Sequence, residues 1–242
     1  MTTLFVGLDP IVTLRQAGGT RDPDPVTAAS LAELAGAGGV RITCRVDRGG
    51  VQERDLRLLR ELVRGILNVW MPPRDEFLKL ALALRPDMVT LVPEGREGTG
   101  AERGLDVEDR REELLPQIEA LKAGGIVAGV SIDPLPTQVK AAHRAGASLV
   151  LLHTGRFCWA ADDVGRAAEF EALTNAAKIA HRLGLLVHAG GGLTYYSVVP
   201  VSRITEIEAV QVGHSLIARA TLVGIGEAVR ELRRALPDGM ER

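Results

Sequence analysis

Three histidines and a run of glycines are the residues here whose types and spacing could do chemistry. In Leu186-Val187-His188-Ala189-Gly190-Gly191-Gly192-Leu193-Thr194-Tyr195 an apolar run over 183–187 stops at a histidine, and three glycines follow. Glycine lets backbone N–H groups approach a ligand closely and adopts positive φ, so such a loop can cradle an oxyanion. A second stretch, 207–215, ends in Gly213-His214-Ser215 and opens a helical run from Leu216. Two successive strand ends, each with glycine and the second opening a helix, form the phosphate-site pattern of a β/α barrel. Tight strand-to-helix corners would also use glycine, but the pairing favours phosphate, bound by Gly192, Gly213 and His214.

The elements that must position these residues alternate along the chain. Short apolar runs at 4–9, 40–44, 65–70, 88–92, 126–132, 148–152, 183–188 and 207–212 read as strands. Helical segments are expected at about 25–35, 55–63, 73–84, 107–123, 136–145, 163–183 and 216–236. The first opens at Asp22-Pro23-Asp24-Pro25, with a capping aspartate and an early proline. This alternation, without a linker, predicts an α/β chain folded as a single (β/α)₈ barrel over 1–242. The long Gly/Glu/Arg segment 93–105 is poor in apolar residues, and a loop of that length in a barrel reads as a mobile lid over the mouth.

Functional residues of such barrels lie at the carboxyl ends of the strands. That rule collects Asp9, Thr43, Arg45, Asn68, Trp70, Glu94, His153, His188, Gly192, Gly213 and His214. His143 and His181 fall within helices and read as surface residues. A metal held by His153, His188, His214 and Asp9 is conceivable, but no two of these share a local ligand motif, so none is expected.

Composition sets the class. Hydrophobic residues make up 46% of the 242 residues and aromatics only 3%, a Val/Leu/Ile/Ala-rich mixture suited to parallel strands covered by helices. The net charge of −2, with Arg and Glu evenly spread, offers no basic patch for nucleic acid. Cys44 and Cys158 have no partner spacing, so neither a disulfide framework nor a zinc motif is readable. No apolar run reaches membrane-spanning length and no signal peptide is readable, so a cytoplasmic protein without membrane contact is expected.

The same residues carry a resemblance. Asp9 with Thr13-Leu14-Arg15, Asp22-Pro23-Asp24-Pro25-Val26, Val92-Pro93-Glu94, Gly104-Leu105-Asp106-Val107, His153-Thr154-Gly155, Ala189-Gly190 with Gly192-Leu193-Thr194-Tyr195, and Gly213-His214 stand in order. Together they resemble the pyridoxine 5′-phosphate synthase family over essentially the whole chain. The resemblance implies a (β/α)₈ barrel in a homo-oligomer built from dimers, working without metal or organic cofactor. Its reaction condenses 1-deoxy-D-xylulose 5-phosphate with 3-amino-2-oxopropyl phosphate.

The departures from that pattern are concentrated. The family's Asn-x-Asp-His at strand one is Gly7-Leu8-Asp9-Pro10 here, and its strand-two histidine is Thr43, although Arg45 survives. A histidine further along that loop is Gly50. The Asn-x-Glu of strand three is Asn68-Val69-Trp70. A strand-six glutamate is Leu151, the histidine after strand seven is Gly191, and a loop arginine is Gly18. Each positioned acid or base typically supplies 10²–10⁴-fold in rate, and Thr43 and Trp70 cannot exchange protons near neutral pH. A rebuilt centre is therefore expected, in a divergent enzyme or a non-catalytic sensor or carrier of a phosphorylated metabolite. A working synthase is the alternative. In the rebuilt centre His188, where the family has asparagine, is the candidate base, with Asp9, Arg45 and His153 beside it. Thr43, Asn68, Trp70, Glu94 and Gly191 line the pocket. Strand three should aim Trp70 into the mouth, its indole N–H donating to Asp9 or a backbone carbonyl.

Overall fold

The computed structural model describes residues 2–45, 51–94 and 103–237. Eight parallel strands close into a barrel in sequence order: β1 (Thr3–Gly7), β2 (Gly39–Thr43), β3 (Ile66–Met71), β4 (Met88–Leu91), β5 (Val127–Ile132), β6 (Leu149–His153), β7 (Leu186–Gly190) and β8 (Ala209–Val212). Closure pairs Phe5 of β1 with both Gly39 of β2 and Gln211 of β8. The (β/α)₈ architecture expected from the alternation is the observed one.

Helices follow the strands, and several were not foreseen. The chain turns into α1 (Asp9–Gly18) directly after β1, then α2 (Pro25–Leu34), α3 (Glu53–Leu62), α4 (Asp75–Leu84), α5 (Arg111–Ala123) and α6 (Pro136–Arg144). Short α7 (Gly155–Cys158), long α8 (Asp163–Arg182) and short α9 (Val198–Ser202) precede α10 (His214–Val223) and α11 (Ile225–Ala235). The cap of α2 is as expected: the Asp24 carboxylate accepts from the N–H groups of Val26 and Thr27, and Pro25 is the first helical residue. The final helix, expected as one segment over 216–236, is two. Gly224 adopts φ +82°, ψ 151° between α10 and α11, a conformation only glycine takes without strain.

The period of two along each strand sorts the side chains. Leu67, Val69 and Met71 of β3 join the cluster between barrel and helices, with Leu4 and Val6 of β1 and Val40 and Ile42 of β2. Ile66 and Trp70 pack instead with Met88, Leu149 and Leu151 inside the barrel. Trp70 thus faces the interior, as expected.

One strand boundary differs in a way that moves a candidate residue. The run 183–188 was expected as a strand ending at His188, yet β7 is Leu186–Gly190. Leu183 caps α8, and Gly184 at φ +77° turns the chain before the strand begins. The strand therefore continues two residues past His188, which sits in its middle. Of the segment 93–105, residues 95–102 lie outside the described residues. Its far end is tied down, with the N–H of Gly104 donating to Asp133 and that of Leu105 to the Ser131 carbonyl.

Candidate active site

The carboxyl ends of the strands gather the candidate residues at one end of the barrel, in two corners. At the first, β7 and β8 lie side by side, with Gly190 opposite Gln211. Beyond them Gly191 and Gly192 both take positive φ, +102° and +77°. Gly213 is the N-cap of α10, and His214, exposed, is that helix's first residue. The first N–H groups of a helix have no intrahelical acceptor and carry the positive end of its dipole. Gly192, Gly213 and His214 therefore lie on neighbouring loops suited to an oxyanion. Thr154 Oγ1 donates to the Gly191 carbonyl at 2.6 Å, fastening the glycine loop to the end of β6. The His153 ring fills the space above Gly191, where an added Cβ would lie 2.6 Å from its Nε2. Trp159 covers Gly192 in the same manner, at 2.9 Å, and is itself 57% exposed.

The second corner is built by β1, β2 and β3 around Arg41, a residue the sequence reading passed over. Arg41 is the third residue of β2 and faces the barrel interior. Its Nη1 lies 2.5 Å from Asp9 Oδ2, an ion pair rather than an aligned hydrogen bond, and donates to Thr43 Oγ1 at 3.1 Å. Its guanidinium lies over the Trp70 ring, 4.1 Å from the centroid. Its Nη2 occupies a notch where a Cβ on Gly7 would come within 2.4 Å and one on Gly213 within 2.9 Å. Asp9 is itself fixed, accepting from the Thr43 N–H through Oδ1 at 2.7 Å. Three positions that depart from the family pattern, Gly7, Thr43 and Trp70, thus all touch one guanidinium. The signal available in the sequence was an arginine at an inward position of an otherwise apolar strand.

Several expected roles meet different surroundings. The Trp70 indole N–H is buried without an acceptor, because Asp9 is committed to Arg41 and Thr43. His188 is 5% exposed, tilted against the Phe5 ring at 5.3 Å and hydrogen-bonded through Nδ1 to the Gln211 amide at 3.3 Å. Burial pushes its pKa down to about 4, so the imidazole is neutral at neutral pH and walled in beneath the mouth. These surroundings work against its expected part as base beside Asp9. Glu94 pairs with Arg74 through both oxygens at 2.5 and 2.7 Å on the exposed rim, and Arg74 holds its carboxyl below the usual range. Asn68 Oδ1 accepts from Thr90 Oγ1 inside the barrel at 3.0 Å. Arg45 follows β2 at the rim. His143 and His181 are exposed on helices, as expected.

The remaining nucleophile candidates are inert. Burial pushes the Cys44 thiol up to about 12 and raises that of Cys158 as well. Among the described residues no group of three or more His, Cys, Asp or Glu side chains could hold a metal ion. No described helix is long and apolar enough to cross a membrane.

Solved structures share this architecture at low identity. A thiamine phosphate pyrophosphorylase from Pyrococcus furiosus superposes with a TM-score of 0.60 at 19% identity, covering 96% of this chain and 94% of that one. KGPDC from Streptococcus mutans gives 0.65 at 14%, covering 97% of each. These show the fold alone. Sequence relatives are far nearer: the pyridoxine 5′-phosphate synthase of Syntrophotalea carbinolica is 50% identical over 233 residues, 96% of this chain and 98% of that protein. The protein of the same name from a Synechococcus strain is 48% identical over 236 residues, 98% of this chain and 99% of its own. Residues 4–238 match the family described as pyridoxal phosphate biosynthesis protein PdxJ, and the chain belongs to that family.

Proposed function

We propose that this barrel binds a phosphorylated small metabolite at the β7–β8 corner, with the proton-transfer centre of its family replaced by the cluster around Arg41. The observation that carries the reading is the occupancy of that centre. Arg41 pairs with Asp9, donates to Thr43 and stacks on Trp70, so an ion pair, a hydroxyl and an indole stand together where the family pattern has acid and base side chains. His188, the nearest substitute, is sealed beneath Phe5 and Gln211. The product of this arrangement is a divergent enzyme or a phosphometabolite carrier or sensor.

A second reading is a working pyridoxine 5′-phosphate synthase, and the names of relatives at 44–50% identity over nearly the whole chain favour it. One experiment separates the two. The purified protein is incubated with 1-deoxy-D-xylulose 5-phosphate and 3-amino-2-oxopropyl phosphate, and pyridoxine 5′-phosphate is followed by chromatography. The rebuilt-centre reading expects no useful turnover. A rate within the usual enzyme range of roughly 1–10³ s⁻¹ overturns it in favour of the synthase.

A further inference from the structure

The Arg41 guanidinium is only partly used by its neighbours. Of its five N–H groups, those on Nη1 serve Asp9 and Thr43, while Nε is buried without a partner and Nη2 meets no acceptor among the described residues. Next to it the Trp70 indole N–H is also buried and unsatisfied, and so is Nδ2 of fully buried Asn68, opposite Arg41 in the β2–β3 register. A guanidinium and an indole are donors only. Two buried oxygens of the barrel interior, Asp9 Oδ2 and Gln211 Oε1, also lack a hydrogen bond, but the unsatisfied donors outnumber them, and buried donors of this kind are costly unless something supplies oxygen.

Position says which oxygen. Nη2 sits in the Cβ-less notch between Gly7 and Gly213, and Gly213 is the N-cap of α10. The guanidinium thus reaches from β2 to the foot of the helix whose first N–H groups are the anion-binding groups of the other corner. Its side chain is 12% exposed, with the Trp70 ring fixing the guanidinium plane and the Asp9 carboxylate holding the Nη1 edge away from the notch. The edge formed by Nε and Nη2 is the one a guanidinium uses for two-pronged contact with an oxyanion. Among the described residues Asp9 is the one carboxylate paired with Arg41, on the opposite edge, so its charge moderates the attraction without blocking it.

We propose that Arg41 is a phosphate-binding residue of this chain: its Nη2 edge completes, from inside the barrel, the site formed by Gly192, Gly213 and His214 for a phosphomonoester. The assignment rests on the phosphate reading of the β7–β8 corner and adds to it a side-chain cation from the opposite corner. It also explains Gly7. An asparagine there, as in the family pattern, would occupy the notch that Nη2 needs.

Calorimetric titration of the full chain with inorganic phosphate tests it, with folding followed by near-ultraviolet circular dichroism and melting temperature. Arg41→Gln is expected to weaken phosphate binding by about tenfold to a hundredfold, as loss of a charge-assisted donor does. Arg41→Lys, which keeps charge but loses the two-pronged edge, should fall between. Should Arg41→Gln fail to fold with Asp9 left unpaired, the double variant Asp9→Asn/Arg41→Gln removes both charges together. In the wild-type protein the Arg41 Nε–Hε resonance should shift on adding phosphate, which needs no variant to fold. Undiminished binding by folded Arg41→Gln, or an Arg41 resonance unmoved while phosphate binds, overturns the role of Arg41 and leaves the β7–β8 reading standing. Wild-type protein that binds no phosphate overturns both.

Discussion

The β7–β8 corner and the β1–β3 corner of the mouth are built from different materials. The first relies on backbone: glycines at positive φ, an N-cap glycine and the free N–H groups of a helix start. The second relies on side chains that define one another, Arg41 with Asp9, Thr43 and Trp70, and a glycine that makes room for them. A backbone site tolerates drift in neighbouring side chains because its donors are common to every residue. A side-chain network does not, since each member fixes the next. Gly7, Thr43 and Trp70, three departures from the family pattern, fall in the second corner, while Gly192, Gly213 and His214 of the first still follow it and Gly191 is the exception there.

That contrast is breakable. The largest expected effect is at Asp9. Its carboxylate is 4% exposed and Arg41 depends on it, so Asp9→Ala should destabilise the fold by about 3–5 kcal/mol in urea denaturation, the usual cost of orphaning one member of a buried pair. A loss below 1 kcal/mol would mean that the network is decoration. Next is acid sensitivity at His188. Its folded pKa of about 4 lies below the ordinary 6.5, so the unfolded chain binds the proton more readily. Stability from this residue is full above pH 6.5 and lost as pH falls toward 4, by about 3 kcal/mol in all. His188→Gln should flatten that part of the pH–stability curve; an unchanged curve removes the argument that His188 is a sealed, neutral group.

Smaller effects sharpen the comparison. Gly7→Asn restores the family residue but drives a side chain into Arg41 Nη2, and overpacking of this kind costs about 1–3 kcal/mol. Gly192→Ala introduces a Cβ at φ +77° facing Trp159, and should cost about 1 kcal/mol while weakening phosphate binding. A variant that binds phosphate normally would show that the loop turns a corner and nothing more. Glu94→Ala, on the exposed rim with Arg74, should leave the urea midpoint unchanged within error, since exposed ion pairs contribute little.

The same contrast governs what the sequence could disclose. Barrel, strand order and the glycine corner were readable because they rest on local signals: apolar runs, turn glycines, and the capped start at Asp24 and Pro25. The inward aim of Trp70 followed from the two-residue period. Arg41 was not readable, because its meaning comes from Trp70, 29 residues away on β3, from Asp9, 32 residues away at the start of α1, and from Gly7 and Gly213 at opposite ends of the chain. His188 was misplaced by a local error. Leu183 looks like strand but caps α8, and a shift at the strand start carried the histidine from mid-strand to mouth.

The seam between β1 and β8 has a consequence for how the chain is made. Thr2 Oγ1 donates to the Ser202 carbonyl across 200 positions, and Arg233 bonds the Gly36 carbonyl across 197. A ribosome adding roughly 5–20 residues per second needs about 10–40 s between those partners. Throughout that interval β1 has one hydrogen-bonding edge without its final neighbour, an opening for a strand from another nascent chain. Closure is then the last event of folding rather than an early one, and the long-range pairing it requires slows it further. Crowding of nascent chains on one message should therefore lower the yield of native barrel.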